Sequence, residues 1–309
     1  MSKFVMMVGL PASGKSTYAK ELLESQGFVR FSSDDLREEL FGDVNCQDKN
    51  SELFQEMNRR AIMALKIGRD VVYDATNTSS KKRRALLSQL PRDVQKECVY
   101  ITTNDFRCIM RDSVRERSVG DGVIRRMYKR LQIPMYHEGW DKITIYNEFG
   151  INRKTIELPS YYEEYCKLLK ILGCKECVDL AQDNPYHTLS ISRHMYYTYE
   201  KLINKGVSLP VLLAGMLHDI GKPYCKEFNG KYASFKGHEY VSAQMAVEIL
   251  SECGFKTDEI INITTLIQLH MRLHNKDMSE KTRNKFKSDL GDEMYSQLVD
   301  LNVADGLAK

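Results

Sequence analysis

Two groups of residues in this 309-residue chain could do chemistry. The first is Gly9-Leu-Pro-Ala-Ser-Gly14-Lys15-Ser16-Thr17, which fits the pattern GxxxxGK[ST]. Gly9 and Gly14 would let the backbone wrap closely around phosphates, with the loop amides and the N-terminus of the next helix facing the anion. Lys15 can reach the terminal phosphates, Ser16 can ligate Mg2+, and Thr17 completes a nucleotide-binding set. The second group is histidine. Six of the seven, His187, His194, His218, His238, His270 and His274, fall after residue 186, and only His137 lies outside. Imidazole is the commonest metal ligand, and carboxylates complete hard or mixed sites. His218 and Asp219 are adjacent where the apolar run Leu209 to Leu217 ends, so both could reach one cation.

The elements that must position these groups divide the chain. Residues 3–8 are an apolar run before the loop, the texture of a buried parallel strand. Residues 69–74 and 97–102 read as further strands, with helices over 16–25, 51–67 and 80–90. Residues 105–131 read as an arginine-bearing helical stretch, and 142–146 and 154–158 as closing strands. After Pro159 helices dominate, over 163–172, 190–204, 209–220, 240–253, 257–269 and 281–303, and no strand alternation stands out. The expectation is an α/β domain with a parallel sheet over 1–160, then an all-α domain over 175–309, with the boundary near 160–175.

Hydrophobic residues make up 42% and charged residues 28%, values of an ordinary globular chain that exclude disordered, collagenous and fibrous classes. No apolar stretch approaches the ~20 residues of a membrane span, and the N-terminus lacks the cleavage site of a signal peptide, so the reading is cytoplasmic with no membrane partner. Arginine is lopsided, 16 before residue 159 and 3 after, which suits a first half that holds phosphates. A solvated basic face is the plain alternative. Of eight cysteines the only close pair is Cys174 and Cys177, and a lone CxxC reads as ordinary thiols.

Around the loop, Ser33-Asp34-Asp35-Leu36-Arg37, the strand end Asp74-Ala-Thr-Asn77, and Val123-Ile-Arg125-Arg126 resemble the P-loop kinase domain of the phage polynucleotide kinases over about residues 1–150. The resemblance implies Asp34 as the general base for an attacking 5′-hydroxyl. It implies Arg37 as the holder of an acceptor phosphate, and Arg125 as the lid arginine that neutralises the transferred phosphoryl group. In that family Thr-Asn follows the Asp directly. Ala75 is inserted here, which leaves Asp74 and Asn77 as substrate-side groups or Asp74 as a magnesium partner. Helix N-capping is the competing role for Asp34 and Asp35. Arg111, Arg115 and Arg117 could also line the lid, with a solvated basic face as the plainer reading.

The second half resembles the HD phosphohydrolase superfamily over roughly 180–309, on the ordered set His194, His218-Asp219 and Asp305. This implies one or two divalent metals among Mn, Ni, Co, Fe, Zn and Cu. His238 and His270 fall where two-metal members carry extra histidines, and two metals could share a bridging hydroxide. His187 is placed near the substrate and Lys222 on a substrate phosphate. His274 is left at the surface.

Together these readings imply a bifunctional enzyme that heals nucleic-acid ends, more readily RNA than DNA. The first half would use ATP or another nucleoside triphosphate with Mg2+ to phosphorylate 5′-hydroxyl ends. The second would remove 2′,3′-cyclic, 2′- or 3′-phosphates. The products are the ends a ligase joins, which makes a ligase a functional partner. Two alternatives stand beside it: a small-molecule nucleoside kinase fused to an HD nucleotidase, and a nucleotide sensor without catalysis.

Overall fold

The computed structural model describes residues 2–147, 154–185, 188–274 and 277–308. The chain divides into two compact units: Met1–Met127 with Pro134–Glu148, and Tyr128–Ile133 with Phe149–Lys309.

The first unit is built on five parallel strands, β1 (Lys3–Val8), β2 (Val29–Ser32), β3 (Val71–Asp74), β4 (Gln95–Ile101) and β5 (Lys142–Tyr146), in the order β2-β3-β1-β4-β5. Both faces of β1 are covered, which is why its sequence is continuously apolar rather than alternating. Val5 and Met7 pack with Val72, Val99 and Ile101 against Ala19 and Phe28. The helices are α1 (Lys15–Gln26), α2 (Ser33–Phe41), α3 (Asn50–Lys66), α4 (Ser80–Leu87), α5 (Asp105–Ser113) and α6 (Asp121–Tyr128).

The helical stretch expected over 105–131 is therefore two helices with a turn between them. Buried Asp112 makes that turn by accepting from Ser118 Oγ and from the amides of Val119 and Gly120. No strand forms over residues 154–158, so β5 is the sheet's edge.

The second unit is helical: α7 (Tyr162–Ile171), α8 (Ile191–Lys205), α9 (Leu209–Leu217), α10 (Lys222–Cys225), α11 (His238–Glu252), α12 (Thr257–Leu269), α13 (Glu280–Leu290) and α14 (Asp292–Leu307). Helix α9 is its axis, apolar all round and buried from Leu213 to Leu217. Gly291, at φ +81°, breaks the helix expected over 281–303 into α13 and α14. The structure also adds a two-stranded hairpin, β6 (Glu227–Asn229) and β7 (Tyr232–Ser234), where only helices were expected. Its strands are three residues each, too short for alternation to show.

Tyr128–Ile133 is held by backbone hydrogen bonds to two buried glutamines of this unit. Gln244 on α11 donates to the carbonyls of Tyr128 and Leu131, and Gln268 on α12 accepts from the Ile133 amide at 2.7 Å. No helix among the described residues is long and apolar enough to cross a membrane.

Candidate active sites

The phosphate loop joins β1 to α1. Gly9 is at φ +152°, and a Cβ there would lie 2.9 Å from the Ile101 carbonyl oxygen, so only glycine lets the loop pass this close to β4. Helix α1 starts at Gly14, φ +101°, with no side-chain cap and no acidic residue in its first turn. Its first amides are left for an anion. Ser16 and Thr17 stand exposed at that end. Lys15 is buried, its ammonium donating to the Leu10 carbonyl and, at 3.3 Å, to Ser13 Oγ. Burial lowers it to about 8, against partial restoration by Asp74.

A cavity of about 490 Å3 opens over this loop, and Asp34, Arg37, Asp74, Arg115 and Arg117 line it. Ser32 caps α2 by accepting from the Asp35 amide, so neither Asp34 nor Asp35 is the cap. Asp34 is exposed, 3.0 Å from Arg37 Nη1 and 3.4 Å from Arg117 Nη1. Arg37 is buried. Its Nη2 donates to Asn50 Oδ1 at 2.9 Å, and its Nε has no partner.

Asp74 is buried, and Arg30 on β2 grips its Oδ2 through Nε and Nη2 at 3.0 and 2.7 Å. Asn77, at φ +48°, donates to the Met7 carbonyl at 2.7 Å and so braces β1; it does not line the cavity. Arg125 does not line it either. It lies 3.5 Å from Asp105 Oδ2, half-exposed, while Arg115 and Arg117, read from sequence more plainly as a solvated face, reach the cavity wall. Arg30 and Asn50 went unnoticed in the sequence, because only the parallel register of β2 and β3 and the docking of α3 bring them in.

In the second unit five helices converge. His194 comes from the first turn of α8, His218 and Asp219 from the end of α9, His238 from the start of α11, His270 from the end of α12, and Asp305 from the last turn of α14. All six are buried. Their ligand atoms form two overlapping groups, His194-His218-Asp219 and Asp219-His238-His270, each within 4.8 Å. Asp219 is common to both. Asp305 Oδ1 is 2.9 Å from His194 Nε2 and 3.9 Å from His218 Nε2.

The four site histidines are aimed by the same device. Nδ1 donates to a main-chain carbonyl: Ala308 for His194, Gly215 for His218, Phe235 for His238 and Ile267 for His270, at 2.6 to 2.9 Å. A carbonyl can only accept, so in the neutral ring the proton sits on Nδ1 and the Nε2 lone pair faces inward. Nε2 of His194 and His218 stand 3.2 Å apart, and those of His238 and His270 3.3 Å. Ring nitrogens paired at these distances need a proton or a metal cation between them. Asp219 Oδ1 is buried without a hydrogen-bond partner, 3.2 Å from His238 Nε2. Four imidazoles and two carboxylates fit one or two divalent transition metals.

Burial pushes the Asp219 carboxyl up, but Lys222, His218 and His238 together hold it well below the usual carboxylate range. Burial, with His218 and His238 beside it, drives His270 down to about 3, which keeps it neutral and ready to ligate.

Lys222 is buried against the site, its ammonium 2.7 Å from Asp219 Oδ2 and 2.7 Å from Gln182 Oε1. His274 is exposed, as expected, and it also reaches the site. The turn after α12 carries it back onto α14, where its Nε2 is 2.7 Å from Asp305 Oδ2. His187 lies outside the described residues. Cys174 and Cys177 are buried free thiols, Cys174 pushed up by burial to about 12, and neither joins a metal-holding group among the described residues.

Comparison with known families agrees with this division. Residues 4–134 match the AAA domain family and residues 191–308 the HD domain family. The chain is thus a P-loop, kinase-like AAA domain followed by a helical HD domain. No curated protein matches it. Among solved structures, a chain of the Pnkp1/Rnl/Hen1 complex is 24% identical over 38% of this chain and 41% of that one, with a TM-score of 0.34. A chain of the Pnkp1/Rnl/Hen1 RNA repair complex is 21% identical over 42% and 44%, TM-score 0.39. A gluconokinase from Sinorhizobium meliloti is 15% identical over 46% and 81%, TM-score 0.35. The chain spans less than half the length of the first two.

Proposed function

We propose that the chain is a bifunctional end-healing enzyme acting on nucleic acid, RNA more readily than DNA. The first unit transfers the terminal phosphoryl group of ATP or another nucleoside triphosphate, with Mg2+ on Ser16, to a 5′-hydroxyl. The HD unit hydrolyses a 2′,3′-cyclic phosphate, 2′-phosphate or 3′-phosphate. The observation that carries this reading is that two separate sets occur on one chain: Lys15, Asp34 and Arg37 around one cavity, and six ligand groups converging elsewhere.

In the kinase reaction Lys15 and the amides of α1 hold the triphosphate, and Asp34 takes the proton of the acceptor hydroxyl as the bond to phosphorus forms. The orphaned Nε–H of Arg37 offers a buried donor to an acceptor phosphate oxygen. Asp74, fixed by Arg30, positions the acceptor side. Arg115 and Arg117 add positive charge at the wall, and Arg125, resting on Asp105 away from the cavity, would have to swing in to serve as the lid arginine.

In the HD unit His194, His218, Asp219 and Asp305 would hold one divalent metal, and Asp219, His238 and His270 could hold a second. Bound there, the metals supply Lewis acidity and a nucleophile derived from water. Lys222, 2.7 Å from Asp219 Oδ2, would hold a non-bridging phosphate oxygen. The HD site releases a 3′-hydroxyl when it acts on a cyclic or 3′-phosphate end. With the new 5′-phosphate, that is what a nucleic-acid ligase joins, and a ligase is the functional partner.

The test is RNA carrying a 5′-hydroxyl and a 2′,3′-cyclic phosphate, incubated with the protein, Mg2+, ATP and Mn2+ or Ni2+, each end read separately. Both ends should change. A 5′ end that stays unlabelled with oligonucleotides but is phosphorylated on free nucleosides would replace the polymer reading with a small-molecule kinase.

A further inference from the structure

The β6–β7 hairpin leaves the HD site and returns to it. It departs after Lys222, whose ammonium is on Asp219, and comes back at His238. Between Lys222 and Gly237 the sequence holds four lysines, four aromatic residues and one glutamate. Yet from residue 159 onward acidic residues outnumber basic ones, 20 against 18. Interleaved lysines and aromatic rings are the texture of single-strand nucleic-acid platforms.

The hairpin is tight, with a two-residue loop in which Gly230 takes φ +67°. Phe228 is 61% exposed, which nothing in the packing of the unit requires. It pairs in register with Ala233, whose amide donates to the Asp183 carbonyl at 2.9 Å. Lys226 donates to the Ala181 carbonyl and to Asp183 Oδ2 at 2.6 Å each, and its ammonium lies 5.5 Å from the Phe228 ring centroid. Lys222, in turn, is held by Gln182. The short segment 181–183 therefore joins the lysine on the metal-binding carboxylate to the lysine on the exposed ring. Tyr232 stands on the other face, opposite Asn229.

The geometry points to the Phe228 face of the hairpin as the docking surface for single-stranded nucleic acid whose terminal phosphate enters the HD site. A base of that strand stacks on Phe228, and the exposed Lys231 and Lys236 of the same segment supply charge for its backbone. This rests on the reading of the HD unit as a phosphohydrolase and narrows its substrate to a polymer rather than a mononucleotide. Charge complementarity and direct chain continuity with the metal-binding residues select this occupant.

The test uses the full chain loaded with Mn2+ or Ni2+ and two probes: a single-stranded oligonucleotide ending in a 3′-phosphate, and p-nitrophenyl phosphate. Phe228→Ala should raise KM for the oligonucleotide about tenfold, the size of one lost base stack. Turnover of p-nitrophenyl phosphate, 5′-kinase activity and metal content should stay as in the wild type. Tyr232→Ala, on the same hairpin but the opposite face, should change the oligonucleotide KM less than about twofold.

An unchanged KM in Phe228→Ala overturns the proposal, as does an equal loss on both probes. An equal rise in Tyr232→Ala overturns the one-face assignment. Wild-type protein that hydrolyses neither probe overturns the phosphohydrolase reading instead. In that case anisotropy of the labelled oligonucleotide against wild type and Phe228→Ala still decides the docking surface, because weaker binding by the variant supports it and equal binding overturns it.

Discussion

Lys15 shows how one side chain can be costly to the fold and necessary to the site. Its ammonium is buried and lowered from 10.5 to about 8. Below pH 8 the folded chain carries that charge at full cost, and above 10.5 it is neutral in both states and the cost is gone. Stability of the wild type relative to Lys15→Met should therefore rise between pH 8 and 10.5, by at most about 3 kcal/mol. Urea unfolding of the two proteins across that range checks it, and a difference that stays flat would mean the ammonium is not desolvated. A bound triphosphate reverses the argument, since it supplies the counter-charge that burial removed. At the other site the orphaned oxygen of Asp219 and the inward lone pairs of the histidines have the same logic: groups poorly satisfied alone become satisfied by a ligand of opposite charge.

At the scale of elements, close helix approach decides the second site. Gly221 stands between α9 and α10, its amide donating to Ser242 Oγ on α11 at 2.9 Å. A Cβ there would meet the Ser242 nitrogen at 2.6 Å, the His238 carbonyl oxygen at 2.8 Å and Val241 Cβ at 2.9 Å. Two of these are backbone atoms, so α11 would have to shift. Gly221→Ala should cost about 1–3 kcal/mol by overpacking and displace His238. Bound metal, measured on purified protein, should fall together with HD activity, while 5′-kinase activity persists. Retention of the full metal complement would show that α11 tolerates the added methyl. Helix α9 contributes differently. Its apolar surface fastens it inside the unit, and its carbonyl end delivers His218 and Asp219 to where a cation is favoured.

Across the whole molecule, the two sites draw on separate residues in separate compact units. Lys15→Ala should abolish kinase activity and leave the HD reaction within about twofold, because the phosphate clamp carries most of the transition-state charge only at its own site. Asp219→Ala should do the reverse, since one carboxylate serves both metal-holding groups. Rates on the two ends of one RNA, measured side by side, decide the matter. A single change that silenced both reactions in a folded protein would refute independent sites.

Much was legible in the sequence because it depends on local order. The phosphate loop is a contiguous run whose glycines and lysine act through the backbone next to them, so its place between strand and helix followed from residues 3–26 alone. The apolar run of α9, the clustering of histidines after residue 186, and the change from α/β to helical texture are likewise properties of composition and period. Only the tertiary structure could show that the six ligand groups, up to 111 positions apart in sequence between His194 and Asp305, share one centre. It also showed that His274 turns back onto Asp305, that Arg30 grips Asp74, and that Arg115 and Arg117 rather than Arg125 reach the cavity wall. Those relations come from parallel register and helix packing, which join distant residues and leave no local pattern to read. The hairpin escaped notice for a related reason: three-residue strands are stabilised by their partner strand and by Asp183, not by a periodicity of their own.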